Sequence, residues 1–184
     1  MLKFGKPILG KDKLDRNKAE ELITKFYNYP NVEFVEFPSE SFRDQLSGKK
    51  TIKDLAEIRS KNLIKLKLER YAGNYNYKFI LTSKGKKYLK KTDINYVNYF
   101  MASNIIEFDK INGIRLNEGN NKAIVDFQVK RKRITPFGKF ENYSENDIVK
   151  YKVKLELFDD GWRIINKPNK IYTLKDFPVL NIQH

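Results

Sequence analysis

Cysteine is absent from this chain, which excludes disulfides, thiolate metal sites and cysteine nucleophiles together, without fixing a cellular compartment. Histidine is nearly absent. The one copy is His184, the last residue, so neither a Ser-His-Asp triad nor a multi-histidine metal site can be assembled within one chain. What remains is carboxylate, lysine or tyrosine chemistry, and no constellation of those residues announces it; the expectation is a non-enzyme with no metal and no cofactor. Long apolar runs are missing too. None approaches the ~20 residues a helix needs to cross a bilayer, and the opening MLKFGKPILG lacks the continuous apolar core of a signal peptide. The expected location is the cytoplasm, with the cell envelope as the alternative if a leader lies outside this sequence.

Against these absences stand 184 residues that are 40% hydrophobic and 14% aromatic, too apolar for a disordered chain and enough for one domain or two small ones. The formal net charge is +14, unevenly spread. Residues 1–91 hold 22 Lys plus Arg against 11 Asp plus Glu (22 − 11 = +11), and residues 92–184 hold 15 against 12 (15 − 12 = +3). An excess of this size suits a polyanionic partner such as DNA or an anionic surface, through direct attraction and counterion release. The competing reading is a lysine-rich composition that solvates the surface.

The most legible stretch runs from Thr51 to Tyr88. Thr51 with Asp54 three residues on is a capping-box pair, and Ile52, Leu55, Ala56, Arg59 and Leu63 follow at helical spacing. At Leu63 the period changes to two: Ile64, Leu66 and Leu68 alternate with Lys65, Lys67 and Glu69, the pattern of a half-buried strand. Ala72, Gly73 and Asn74 supply a turn, and Tyr75, Tyr77, Phe79 and Leu81 resume the alternation. Thr82 or Ser83 then caps an expected helix from Lys84. Upstream, residues 1–14 read as a loose arm, and a helix is expected from Asn17, capped with Glu20, showing Ala19, Leu22, Ile23, Phe26 and Tyr27 on one face. A strand is expected over Val32–Phe37 and a short helix over Ser39–Leu46.

This order of elements, with the ending FILTSKGKKYL, resembles the winged-helix family over about Asp15 to Lys91. The resemblance implies a helical subdomain whose third helix, from Thr51, carries Lys53, Glu57, Ser60 and Lys61 outward, with a wing at Tyr71–Asn76. It also implies a nucleic-acid surface of Lys53, Lys61, Lys65, Lys67, Tyr75 and Lys78, with weak base preference. Tyr71, Tyr75 and Tyr77 offer a platform for bases, or equally plain cross-strand packing.

After a boundary near Thr92, residues 92–184 read as extended. Ile94–Met101 and Ile105–Leu116 are expected strands, and Ala123, Val125, Phe127 and Val129 alternate with polar neighbours up to a turn at Thr135–Gly138. Val149, Tyr151, Val153, Leu155 and Leu157 alternate with Lys150, Lys152 and Lys154, and Asp160-Gly161 turns the chain toward Trp162, which is expected to be buried. FDDGWRI looks like the last hairpin of small curved-sheet domains of the nuclear-transport-factor-like class. The fold class expected is thus α+β, a winged-helix-like N-terminal subdomain (15–91) followed by a C-terminal antiparallel β-sheet subdomain (92–184). The run Lys130-Arg131-Lys132-Arg133 alternates between strand faces, so it makes no single stripe and reads as protection of a sheet edge. If their strands pair, Lys130, Lys132, Lys150, Lys152 and Lys154 form a second basic surface. Two functions follow: a nucleic-acid-binding or regulatory protein acting through its basic first half, or an exported, lipoprotein-like envelope module that binds a ligand or docks a protein.

Overall fold

The computed structural model of the protein describes residues 13–42, 50–90, 98–165, 176, 177 and 180. Its elements in chain order are α1 (Arg16–Tyr27), β1 (Asn31–Pro38), β2 (Glu40–Phe42), α2 (Ala56–Ser60), β3 (Ile64–Tyr71), β4 (Asn74–Leu81), β5 (Asn98–Leu116), β6 (Lys122–Lys132), α3 (Pro136–Phe140), β7 (Ile148–Phe158) and β8 (Gly161–Ile164). One sheet has the order β1-β5-β6-β7-β8, and a second has the order β2-β4-β3. β1 with β5, β6 with β7, β7 with β8, and β4 with both its neighbours are antiparallel. The chain divides into two compact units. The first holds α1, the Phe108–Leu116 part of β5, β6 as far as Lys130, β7 and β8; the second holds β1 to β4, α2, α3 and the Asn98–Glu107 part of β5. The boundary expected near Thr92 falls within 91–97, outside the described residues, as do residues 1–12 of the expected arm.

The antiparallel sheet expected in the second half is present, but the winged-helix reading of the first half is overturned. Strands dominate there as well, and the described helices are α1 of 12 residues and two of 5. The helix expected from Thr51 is a single 3₁₀ turn, Ile52–Leu55, followed by the five residues of α2. Its apolar anchors, Leu55 and Ile58, are buried, and Asn62 at φ 54° then takes the left-handed conformation that ends it. Thr51 N–H and Oγ both donate to the Asp54 carboxylate, at 2.6 and 3.1 Å, so the capping pair forms with the hydroxyl as donor. The helix expected within Ser39–Leu46 is instead β2 at Glu40–Phe42, and 43–49 lie outside the described residues. Thr82 does cap, accepting from Gly85 N–H at 3.0 Å, but the helix it opens is only the 3₁₀ turn Gly85–Tyr88. Leu89 then bridges to Met101, and Lys90 N–H donates to Phe100 O at 2.8 Å; pairing with β5 wins over helix propagation.

Two local readings shift by a few residues. α1 is capped by Asp15, which accepts from Lys18 N–H at 2.8 Å, two residues before the expected Asn17, and it ends at Asn28 with φ 52°. The expected turn at Thr135–Gly138 is the start of α3: Thr135 accepts from Gly138 N–H at 3.2 Å, and Pro136 occupies the first helical position, where its missing N–H costs nothing.

In the first unit, α1 buries Ala19 and Ile23, the sheet buries Val125, Phe127, Val153, Leu155 and Trp162, and Tyr27, Phe108 and Tyr151 pack their rings around Phe127. Trp162 is buried as expected. The core of the second unit is centred on Phe37, whose ring meets Phe137, Phe140 and Phe79 at 5.3, 5.5 and 5.8 Å.

A β-bulge in β5 organises this second core. Glu33 pairs with Asn104 and Phe34 with Ala102, so Ser103 is the extra residue. Its carbonyl accepts from Thr135 N–H at 2.8 Å, and Ala102 O accepts from Thr135 Oγ at 2.8 Å. Ser103 Oγ lies 2.9 Å from both Glu33 O and Asn104 Oδ1, yet a hydroxyl has one proton. Donation to Glu33 O closes the network when the buried Asn104 amide turns its NH₂, otherwise without a partner, toward that hydroxyl. α3 sits so close to the bulge that a Cβ on Gly138 would come within 2.4 Å of Ser103 O. Gly85 is similarly pressed on Leu63 O, at 2.0 Å. Gly138→Ala and Gly85→Ala are each expected to destabilise by about 2–3 kcal/mol in urea unfolding, because backbone must move. Gly73→Ala, at φ +82° in open space, costs only the conformational strain of about 1 kcal/mol.

Candidate functional site

The site is built on the paired strands β6 and β7. Val125, Phe127 and Val129 lie opposite Val153, Tyr151 and Val149 on the apolar face. The intervening residues share the other face by the twofold period of a strand. There Lys150 is opposite Gln128, Lys152 opposite Asp126, Lys154 opposite Ile124, and Lys130 opposite Ile148. Four of the five lysines expected in the second basic surface, Lys130, Lys150, Lys152 and Lys154, are thus brought together. Lys132 belongs to the second unit, where it donates to Asn146 Oδ1.

Electrostatics separates these lysines. Lys130 is committed: its ammonium is 2.5 Å from Asp109, which also accepts from Gln128 Nε2 at 2.6 Å. The hydrogen bond from Lys130, then that from Gln128, holds the Asp109 carboxyl below the usual carboxylate range. Asp126 is engaged at 3.0 Å by Arg115 and only at 3.9 Å by Lys152. Glu156 takes Lys122 at 3.3 Å. The cations on or touching this face are Arg115, Lys122, Lys130, Lys150, Lys152, Lys154 and Arg163, and the carboxylates are Asp109, Asp126, Glu156 and Asp160 (7 − 4 = +3). Lys150, Lys152 and Lys154 are exposed, and Lys152 keeps 72% of its side-chain surface. Beside them a shallow cleft of about 480 Å³ is lined by Asn112, Gly113, Arg115, Asp126, Gln128, Lys150 and Lys152, among others.

The surface implied by the winged-helix resemblance does not assemble. β3 and β4 pair Lys67 with Lys78 and Lys65 with Ile80, so those three lysines share one face. Tyr75 pairs with Arg70 and therefore points to the opposite face, where the Arg70 guanidinium lies 5.8 Å from its ring. The lysine face is also charge-mixed. Lys67 is 2.9 Å from Glu69 and its hydrogen bond holds that carboxyl below its ordinary value, while Lys78 stands opposite Glu40 in the strand register. Lys53 is exposed on the 3₁₀ turn before α2, with no recognition helix to carry it. Lys61 is tied to Glu57 at 3.3 Å, and Lys139 reaches the same carboxylate at 3.0 Å. Burial would raise the Glu57 pKa, but the hydrogen bonds and charges of Lys139 and Lys61 outweigh it and bring it below normal.

The run 130–133 is corrected as well. β6 is interior to its sheet, so these cations protect no edge. Each finds a partner: Lys130 takes Asp109, Arg131 takes Glu33 through two hydrogen bonds of 2.7 and 3.0 Å, Lys132 takes Asn146, and Arg133 donates to Leu180 O at 3.1 Å. The Arg131 guanidinium lies 3.6 Å from the Tyr143 ring centre. Burial, followed by the nearby Glu33 charge, raises the Tyr143 pKa. The sequence reading missed Arg115 and Lys122; that both flank the NEGNN turn joining two expected strands was the available signal.

Comparison of the chain with protein-family models, curated proteins and solved structures finds no match. Among the described residues no group of three or more His, Asp or Glu side chains is placed to hold a metal ion, and no helix is long and apolar enough to cross a membrane.

Removing Arg131 strands a Glu33 carboxylate whose side chain is only 20% exposed. Arg131→Ala is expected to destabilise by about 2–4 kcal/mol in urea unfolding, and Glu33→Ala together with it by much less than the sum. Asp109, whose carboxyl is depressed in the fold, contributes stability above the ordinary carboxylate pKa of about 4 and loses it as pH falls through the folded value. The stability gap between the parent and Asp109→Asn should therefore be full at neutral pH and vanish in acid, as measured by denaturation across pH.

Proposed function

We propose that the protein is a non-catalytic binding module that takes a linear polyanion, nucleic acid, on the β6–β7 face of its first unit. The observation that carries this is the register of the two strands. It lines Lys150, Lys152 and Lys154 along one face at intervals of about 6.8 Å, two residues of strand rise. Across from them stand Gln128, Asp126 and Ile124; Asp126, the carboxylate directly opposite, is engaged by Arg115, and the cations of the face outnumber its carboxylates. Lysines are point charges without the planar fork that reads base edges, so the face supports binding to a phosphate backbone with little sequence preference.

The test is fluorescence anisotropy with a labelled oligonucleotide over a salt series. Three phosphate contacts predict a slope of log affinity on log salt of about −2 to −3. The triple variant Lys150→Glu, Lys152→Glu, Lys154→Glu should abolish binding, and Lys53→Glu with Lys61→Glu should leave it unchanged. Loss through Lys53 and Lys61 instead, or no binding by the parent protein at low salt, would sink this reading.

A further inference from the structure

A cavity of about 420 Å³ opens among β5, β6, β7 and the residue following β8, all within the first unit. Its size falls in the range of small-ligand pockets, about 300–1,000 Å³. Three large aliphatic side chains gather at it and remain partly open to solvent: Leu116 (44%), Ile124 (37%) and Ile165 (46%). Single exposed aliphatics are ordinary, but three around one cavity give it an apolar lining that offers water few hydrogen-bond partners. The strands hold the wall in place. Ile124 pairs with Lys154 across β6 and β7, and Ile165 N–H donates to Lys154 O at 3.1 Å, which sets these three side by side. On the other flank Asn117 N–H donates to Lys122 O at 3.0 Å, and Asn117 Oδ1 accepts from Lys122 N–H at 2.9 Å.

The remaining chemistry of the wall is of one sign. Arg115, Lys122 and Lys154 line the cavity, and no carboxylate does. Arg115 and Lys122 are ion-paired to Asp126 and Glu156, but both keep about three-fifths of their side-chain surface, 60% and 61%. Exposed pairs of this kind contribute little, so either cation can turn to a ligand headgroup at small cost.

We propose that this cavity binds a single-chain anionic amphiphile, an alkyl carboxylate or alkyl sulfate of about ten carbons. The chain lies against Leu116, Ile124 and Ile165, and the headgroup meets Arg115, Lys122 and Lys154. A polyanion has no alkyl chain to fill such a wall, so this site is separate in chemistry from the lysine face, although Lys154 borders both.

Isothermal titration calorimetry on the full chain, with ligands kept below their micelle-forming concentrations, tests it. Octyl, nonyl and decyl sulfate should bind with affinity rising about fourfold per methylene, the gain from burying one CH₂. Decanoate should follow decyl sulfate, and decyltrimethylammonium, with the same chain and the opposite charge, should bind at least tenfold more weakly. Ile124→Asn with Ile165→Asn, both at half-open positions, should weaken decyl sulfate at least tenfold. Arg115→Gln with Lys122→Gln should weaken it several-fold while leaving uncharged decanol unaffected. Lys150→Gln with Lys152→Gln, which should impair oligonucleotide binding, should change decyl sulfate affinity by less than about twofold, so the two sites fail separately. No binding up to millimolar decyl sulfate, no dependence on chain length, equal binding of the cationic amphiphile, or unchanged affinity in the Ile124/Ile165 variant would each overturn the proposal.

Discussion

The second unit depends on one extra residue in β5. Inserting Ser103 between the partners of Glu33 and Phe34 breaks the regular ladder there, and two successive carbonyls, Ala102 O and Ser103 O, take donors from outside β1. Buried carbonyls need donors, and Thr135 supplies both, one from its backbone N–H and one from its hydroxyl. Because the same hydroxyl accepts from Gly138 N–H, satisfying the bulge also starts α3. α3 then carries Phe137 and Phe140 against the Phe37 ring. Polar satisfaction at the bulge and aromatic packing in the core are thus coupled through a single threonine that is almost wholly buried.

Charge along the chain is a poor guide to charge on a face. The first 91 residues carry most of the formal excess, yet where they form the β3–β4 ribbon and α2 their lysines meet Glu69 and Glu57, and Glu40 stands opposite Lys78. Residues 92–184 are nearly balanced in sum, but several of their carboxylates are already engaged: Glu141 meets Lys50, Asp147 lies by Arg131, and Asp160 closes the β7–β8 hairpin against Arg163. The strand period then sorts Lys150, Lys152 and Lys154 onto one face, where Asp126 is the carboxylate directly across from them and Asp109 and Glu156 flank it. Local excess of charge is produced by register, which total composition does not contain.

The two proposed sites draw on neighbouring rows of the same strands. Toward Gln128 and Lys150 the rows are polar; toward Ile124 and Ile165 they become aliphatic, with cations retained at the rim. One strand pair can present both chemistries because alternate residues are released from core packing, leaving each solvent-side position open to its own choice.

How far the sequence alone reached follows from the range of each interaction. The β3–β4 hairpin, the alternation of β7, the helix over residues 16–27 and the burial of Trp162 were all legible, since period, turn residues and caps act between positions a few residues apart. The candidate lysines of β7 were legible for the same reason, but their common face with Lys130 required knowing that Gln128 meets Lys150. The winged-helix expectation failed where long-range pairing decided the outcome. β1 has its partner some 70 residues away in β5, Leu89 leaves its helical turn to bridge Met101, and the Thr135 turn becomes a helix because a distant bulge supplies its acceptors. Lys130–Arg133 looked like an exposed edge because nothing in their neighbourhood shows Glu33, Asp109 or the strands on either side. Local pattern determines which residues alternate; only the tertiary structure decides which strands meet, because an antiparallel ladder forms between any two extended segments whose apolar faces and hydrogen-bonding groups can be satisfied together.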